Sequence, residues 1–384
     1  MNSTINHGVM RSNNKRLILN FLYHSNPISK RAIAQELDIS ITSVSTFINE
    51  LLQDNLIMAC GNAQSTGGRK SGLFKFNPDA FFVIGADIQI DCLVTLVLNA
   101  SGMIIAKNVT PLQQTDERYI TGLLTESIIN LCKQSQVPLT KLAGIGIGVP
   151  GIVNRQTGLI DFAPNLGWKN VNLPALLEVE SPVLIENEAN AGAIGETAFG
   201  LAQGIGNVIY VSIGAGIGTG LIFDHRLFEG KNYRAGEFGH MTVEPGGILC
   251  RCGNRGCWES YASTEAALRL YRQYSGQTIQ SYQTFLNRFR ENDPAALKVM
   301  DETLNYLALG VANLINGLNP EMIVIGGEIT QIQEIIYPRL LKLITNRALA
   351  FSLQGTSIRF SDLNNHAAAL GVGSLVIKQR LAAF

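Results

Sequence analysis

Between positions 14 and 52 the apolar residues recur at helical spacing in three bursts: Leu17, Ile18, Phe21 and Leu22; then Ile33, Ala34 and Leu37; then Val44, Phe47, Ile48, Leu51 and Leu52. Residues three and four apart share one face of an α-helix, so the pattern predicts three short amphipathic helices. Only Asp38-Ile39-Ser40 separates the second from the third, with Ser40 in capping position, which fits the short turn of a helix-turn-helix. Thr42, Ser43, Ser45 and Thr46 then lie near the start of the third helix, where a recognition helix meets base edges and phosphates. Further on, Asn55-Leu56-Ile57-Met58-Ala59 and Leu73-Phe74-Lys75-Phe76 flank a loop carrying Gly67-Gly68-Arg69-Lys70. Strand, basic glycine loop and strand describe a wing, with Arg69 and Lys70 placed to enter a narrow minor groove. A small helical interaction domain with a polar third helix shares the helix pattern but not the wing.

Past Asn77-Pro78 the pattern changes. Apolar runs predict strands at 82–88, 92–99 and 103–107, a helix at 120–135 and a strand at 144–149. Later come strands at 207–212 and 219–223, long helices between 294 and 318, and a buried strand at 322–325 that ends in Gly326-Gly327. Two α/β lobes around a cleft are the simplest arrangement, with ligands entering at the carboxyl ends of strands.

The length of 384 residues calls for two or three domains, each expected to have its own interior. Hydrophobic residues make up 46% of the chain, yet no uncharged apolar run reaches the roughly 18 to 20 residues of a membrane span. The start is too polar for a signal peptide, so a soluble, cytoplasmic protein is expected. The net charge of zero hides an asymmetry: residues 1–76 hold eight Lys/Arg against four Asp/Glu, and the remainder holds 22 against 26. A small basic module on a mildly acidic body suits a nucleic-acid partner.

Three of the six cysteines crowd into eight residues, Cys250, Cys252 and Cys257, and His240 precedes them, giving H-x(9)-C-x-C-x(4)-C. One imidazole and three thiolates complete a tetrahedral shell with no open position, which reads as structural Zn2+. The competing reading is three inert thiols and an ordinary histidine.

Over nearly its whole length the chain resembles the ROK family of repressors, open reading frames and sugar kinases, and most closely its xylose-repressor branch. The resemblance rests on Gly148-Val149-Pro150-Gly151, Phe162-Ala163-Pro164-Asn165-Leu166-Gly167-Trp168, Ile185-Glu186-Asn187-Glu188-Ala189-Asn190, Gly214-Ala215-Gly216-Ile217-Gly218-Thr219-Gly220 and the stretch 236–260. In isolation, residues 214–220 read equally as a tight turn in a packed hairpin. The resemblance implies an α/β fold: an N-terminal winged helix-turn-helix (1–76) followed by a two-lobed actin-like domain (77–384). The first lobe would span about 77–185 plus 369–384 and the second about 186–368. It also implies a sugar site of Asn165, Asn187, Glu188, Glu237, His240 and Glu259, with His240 binding zinc through one ring nitrogen and a sugar hydroxyl through the other.

Where the related kinases carry an aspartate as the base, this chain carries Glu188, whose carboxylate is displaced by roughly 1 Å, a shift that costs on the order of a hundredfold in rate. Where they carry Asp-Ile-Gly-Gly-Thr, it reads Asp87-Ile88-Gln89-Ile90-Asp91, which crowds and repels a phosphate. Phosphoryl transfer is therefore not expected, although Gly326-Gly327-Glu328 resembles the nucleotide-side motif. The expected partners are operator DNA, a monosaccharide effector with xylose first and glucose next, and a second copy in a homodimer or dimer of dimers. Two other readings stand beside this one: a sugar kinase that has gained a DNA-binding domain, and a regulator controlled by a sugar-transport protein.

Overall fold

The structure is a computed structural model that describes residues 7–62 and 71–384. The head contains α1 (His7–His24), β1 (Ile28–Ser29), α2 (Lys30–Glu36), α3 (Ile41–Gln53), β2 (Ile57–Asn62) and β3 (Gly72–Phe76). Ser40 caps α3 by accepting the Ser43 N–H at 3.1 Å, and Ser29 caps α2 through the Ala32 N–H. Ile18, Leu19, Leu22, Ile33, Val44, Phe47, Ile48 and Leu51 close the helices on one another. Two features were not foreseen. α1 begins seven residues ahead of the first expected helical position, its polar first half lying beside α3 with Arg11 paired to Glu50 and Lys15 to the C-cap residue Asp54 at 2.8 Å. Strand β1 is only two residues long and pairs antiparallel with the edge of the wing strand β3 opposite β2. The wing-tip residues Arg69 and Lys70 lie outside the described residues.

The first lobe is built on β4 (Phe82–Ile88), β5 (Cys92–Asn99), β6 (Ile104–Pro111), α4 (Glu117–Gln134) and β7 (Leu142–Val149). A small antiparallel flap follows, β8 (Ile152–Asn154), β9 (Leu159–Ala163) and β10 (Trp168–Asn172), then α5 (Leu173–Leu176) and β11 (Val183–Asn187). The main sheet runs β11-β7-β4-β5-β6, with β11, β7 and β4 parallel and the other pairs antiparallel. β6 continues four residues beyond the expected end at 107, because Asn108, Thr110 and Pro111 leave Val109 isolated and break the hydrophobic signal.

The second lobe begins with α6 (Glu188–Phe199), β12 (Val208–Ile213), β13 (Ile217–Phe223) and β14 (Arg226–Leu227). It continues with α7 (Glu259–Ala262), α8 (Thr264–Ser275), α9 (Tyr282–Arg290), α10 (Pro294–Leu318), β15 (Met322–Gly327), α11 (Gln333–Thr345), α12 (Ala350–Gln354) and β16 (Ser357–Phe360). Its sheet runs β14-β13-β12-β15-β16. In place of several helices between 294 and 318 there is a single one of 25 residues, capped by Asp293 with Pro294 in its first turn and ended by left-handed Asn319.

The chain returns through α13 (Ala367–Ala382), which lies on β4 and β7 of the first lobe and crosses α6 at the junction of the lobes. The crossing is main chain on main chain. A Cβ on Gly371 would come within 2.6 Å of the Ala191 carbonyl carbon and 2.9 Å of Gly195 N. The far side of α13 touches α1, and one buried cluster joins Leu19, Leu22 and Phe76 of the head to Val83, Leu96, Leu370 and Leu381. The head therefore shares an interior with the first lobe and α13 instead of owning a separate one, whereas the second lobe has its own around Trp258, Phe285 and Val311. Among the described residues no helix is long and apolar enough to cross a membrane.

Candidate functional site

The metal donors converge although the sequence spreads them over 18 residues. The donor atoms of His240, Cys250, Cys252 and Cys257 all lie within 4.8 Å of one another. Cys252 and Cys257 place their sulfurs 3.6 Å apart, and Cys250 Sγ lies 3.7 Å from His240 Nδ1. A tetrahedral zinc with bonds of about 2.3 Å to sulfur separates its thiolates by about 3.8 Å, so the set fits the ion. Burial pushes the thiols of Cys250 and Cys257 up, so they are protonated unless a cation holds them as thiolates. Nδ1 is the imidazole nitrogen that faces the thiols, while Nε2 is directed toward Glu237, 3.8 Å from its carboxylate.

The carboxylates and amides expected at a sugar gather around the turn between β12 and β13. That turn is a tight hairpin, closed by the Gly214 N–H on Gly216 O at 3.0 Å, and its glycines leave room for side chains from elsewhere. A Cβ on Gly216 would lie 2.6 Å from Glu259 Oε2 and 3.6 Å from Asn165 Nδ2, and one on Gly218 would lie 2.8 Å from Glu188 Oε1. Asn165, Glu188 and Glu259 thus meet on one hairpin, and Glu237 and His240 approach from the metal side, where His240 Nδ1 is 3.4 Å from Glu259. Burial, then the charges of Asp87 and Glu237, push Glu188 up to about 8.

Asn187 stands apart from this set. Its Oδ1 caps α6 by accepting the N–H groups of Ala189 and Asn190 at 2.9 and 3.1 Å. Its Nδ2 donates to Gly151 O at 3.0 Å and to Glu188 at 3.1 Å. All four hydrogen-bonding positions of the amide are taken within the chain, so Asn187 orients Glu188 and has nothing left for a ligand.

Gln89 fills the first phosphate hairpin. Its side chain folds back to donate to Asp87 Oδ2 at 2.8 Å and accepts from the Cys92 thiol at 3.3 Å. Asp87 is buried beneath it, and that burial pushes its carboxyl up to about 7. A folded-back side chain thus stands where the resemblance sets a glycine.

Three residues missed from the sequence tie the flap to the rest. Arg155 pairs with buried Glu186 at 2.9 Å and with Glu229, Arg234 pairs with Asp161 at 3.0 Å, and Arg251 donates to Asn165 at 2.8 Å. Only Arg251 had any sequence signal, its place between two metal-site cysteines. On α3 of the head, Thr42 and Thr46 are exposed and Ser45 half-buried, while Ser43 is drawn into the cap through the Ser40 hydroxyl at 2.9 Å.

Comparison with known proteins agrees with this architecture. The ROK family matches residues 83–379, and a winged helix-turn-helix DNA-binding family matches residues 11–58. The xylose repressor of Bacillus subtilis (strain 168) is 32% identical over 368 residues, covering 95% of this chain and 94% of that protein. A solved ROK family transcriptional regulator, described as a homologue of the E. coli MLC protein, superposes with a TM-score of 0.79 at 24% identity and 97% coverage of both chains, which supports the fold. A ROK family glucokinase from Streptomyces griseus, solved with glucose and AMPPNP, superposes with a TM-score of 0.68 at 27% identity, covering 77% of this chain and 98% of that one. The chain belongs to the ROK family, with a DNA-binding winged helix-turn-helix ahead of an actin-like ROK domain.

Proposed function

We propose that this protein is a cytoplasmic, sugar-responsive transcriptional repressor of a carbohydrate-utilisation operon, with xylose the first effector to test and glucose the second. The head (1–76) would bind operator DNA through Thr42, Ser45 and Thr46, with Arg69 and Lys70 of the wing in the minor groove. The lobes (77–185 with 369–384, and 186–368) would close on the sugar between Asn165, Glu188, Glu237, His240 and Glu259. His240, Cys250, Cys252 and Cys257 would hold one structural Zn2+, whose chemistry is to keep the loop and the imidazole in place.

The observation that carries this reading is the continuity of packing from cleft to head. Glu188 opens α6, α6 meets α13 main chain against main chain at Gly195 and Gly371 with Ala191, Ala368 and Val372 packed beside them, and α13 shares a core with α1. Closing the cleft must therefore move or strain the helix on which the head sits. In a homodimer, or a dimer of dimers, that motion changes the spacing of two recognition helices on their half-sites. To shift the protein from mostly bound to mostly released, the sugar must prefer the released form by about 10⁴-fold, or about 5.5 kcal/mol.

Gln89 in the phosphate hairpin and the longer side chain of Glu188 both argue against phosphoryl transfer. The test is fluorescence anisotropy on DNA upstream of the protein's own and neighbouring genes, titrated with pentoses, hexoses and amino sugars, beside an assay for sugar-dependent ADP release. Release from DNA by one sugar without ADP formation is the expected result. Specific binding that no sugar perturbs points instead to control by a sugar-transport protein, and ADP formation points to a kinase.

A further inference from the structure

Arg251 stands between two metal donors, Cys250 and Cys252, so its main chain is held from both sides by whatever fixes those thiolates. Its guanidinium reaches two elements on opposite lobes. Nη1 donates to Asn165 Oδ1 at 2.8 Å, in the turn between β9 and β10, and Nη2 pairs with Glu265 at 3.0 Å, in the first turn of α8. The Arg251 and Glu265 side chains are 57% and 46% exposed, so the pair adds little to stability. Its effect is geometric.

We propose that Arg251 is the positioning residue through which the metal loop sets the amide of Asn165, making this corner of the cleft specific for a neutral hydroxyl. The proposal rests on the sugar-site reading above. With Oδ1 held by the guanidinium, Nδ2 is the group turned toward Gly216, where Glu259 Oε2 is also directed. An amide donor and a carboxylate acceptor at one point match a hydroxyl, which accepts from the first and donates to the second. An anionic group at that point would meet the charge of Glu259, so a phosphate or carboxylate is excluded there. If the amide were free to flip, its oxygen would face the Glu259 carboxylate and the discrimination would be lost.

The test is calorimetric titration of the full-length protein with D-xylose and with D-glucose, using wild type, Arg251→Ala, Arg251→Lys, Asn165→Ala and the Arg251→Ala/Asn165→Ala double variant, with zinc content measured for each. Arg251→Ala is expected to weaken binding roughly tenfold, the worth of one hydrogen bond to a charged group. Arg251→Lys, which can still reach one partner, should recover part of that loss. In the Asn165→Ala background the Arg251 change should cost nothing further, because its only route to the sugar is gone. Additive losses, unchanged affinity in Arg251→Ala, or a loss of zinc that accounts for the weakening would each overturn the proposal. If neither sugar binds, the same titrations are made across the panel of pentoses, hexoses and amino sugars, and a wild-type protein that takes up none of them overturns the sugar-site reading itself, and this proposal with it.

Discussion

Replacing Gly371 and Gly122 by alanine should move stability in opposite directions, although both glycines lie inside helices. In a helix interior alanine is favoured over glycine by about 1 kcal/mol, so without tertiary contacts both changes would stabilise. Gly122 of α4 has nothing within 4 Å of the position its Cβ would take, and it should show that gain. Gly371 of α13 would place its Cβ 2.6 Å from the Ala191 carbonyl carbon and 2.9 Å from Gly195 N, both main-chain atoms of α6. No rotamer can yield there, the Ala191 carbonyl oxygen lies nearer still, and ordinary contacts of roughly 3.2 to 3.5 Å are reached only if the helices part by appreciably more than about 1 Å. Overpacking of this kind costs about 1–3 kcal/mol, and a rigid obstacle puts Gly371→Ala at the upper end, a net loss of about 2 kcal/mol after the propensity gain. Urea midpoints at constant m would give both values. Because α13 also carries the head, Gly371→Ala should alter operator affinity or its sugar response, and Gly122→Ala should alter neither. If Gly371→Ala is tolerated within about 0.5 kcal/mol, or both variants shift together, close helix contact is not what couples the lobes.

The raised carboxyl of Glu188 makes a prediction about pH. A carboxyl lifted to about 8 in the folded protein binds its proton more tightly there than in the unfolded chain, so its stabilising contribution is present below about 4.5 and is lost as pH rises through about 8. Between about pH 5 and pH 8.5, Glu188→Gln should therefore lose less stability than wild type in denaturation midpoints; parallel curves would show that Glu188 is not protonated in the cleft. Removing zinc with a chelator should shift the emission of buried Trp258, next to Cys257 and bonded to Tyr306 O at 2.9 Å, and zinc should restore it when measured in a Trp168→Phe background. An unchanged spectrum after the metal is shown to be gone would mean that the loop does not need it.

What the sequence determined by itself is what near neighbours along the chain determine. Ser40 caps α3 because the N–H it satisfies belongs to Ser43, three positions on, and the central strands of both lobes announce themselves as short apolar runs because both their faces are buried. Cysteines two and five positions apart, with a histidine ten residues ahead, announce a candidate metal shell because so short a loop has few ways to fold, and the four donor atoms do converge. Only the tertiary structure decided the rest. The polar first half of α1 finds its partners 39 residues away at the end of α3, and the head's loss of a separate core depends on α13 at the far end of the chain. Asn187 has the residue type of a sugar ligand, yet the strand-to-helix junction consumes its amide, while Arg251, an ordinary surface cation by composition, finds Asn165 86 residues back. A side chain's type says which bonds it can make, whereas the packing of the lobes says which of them are already made before a ligand arrives.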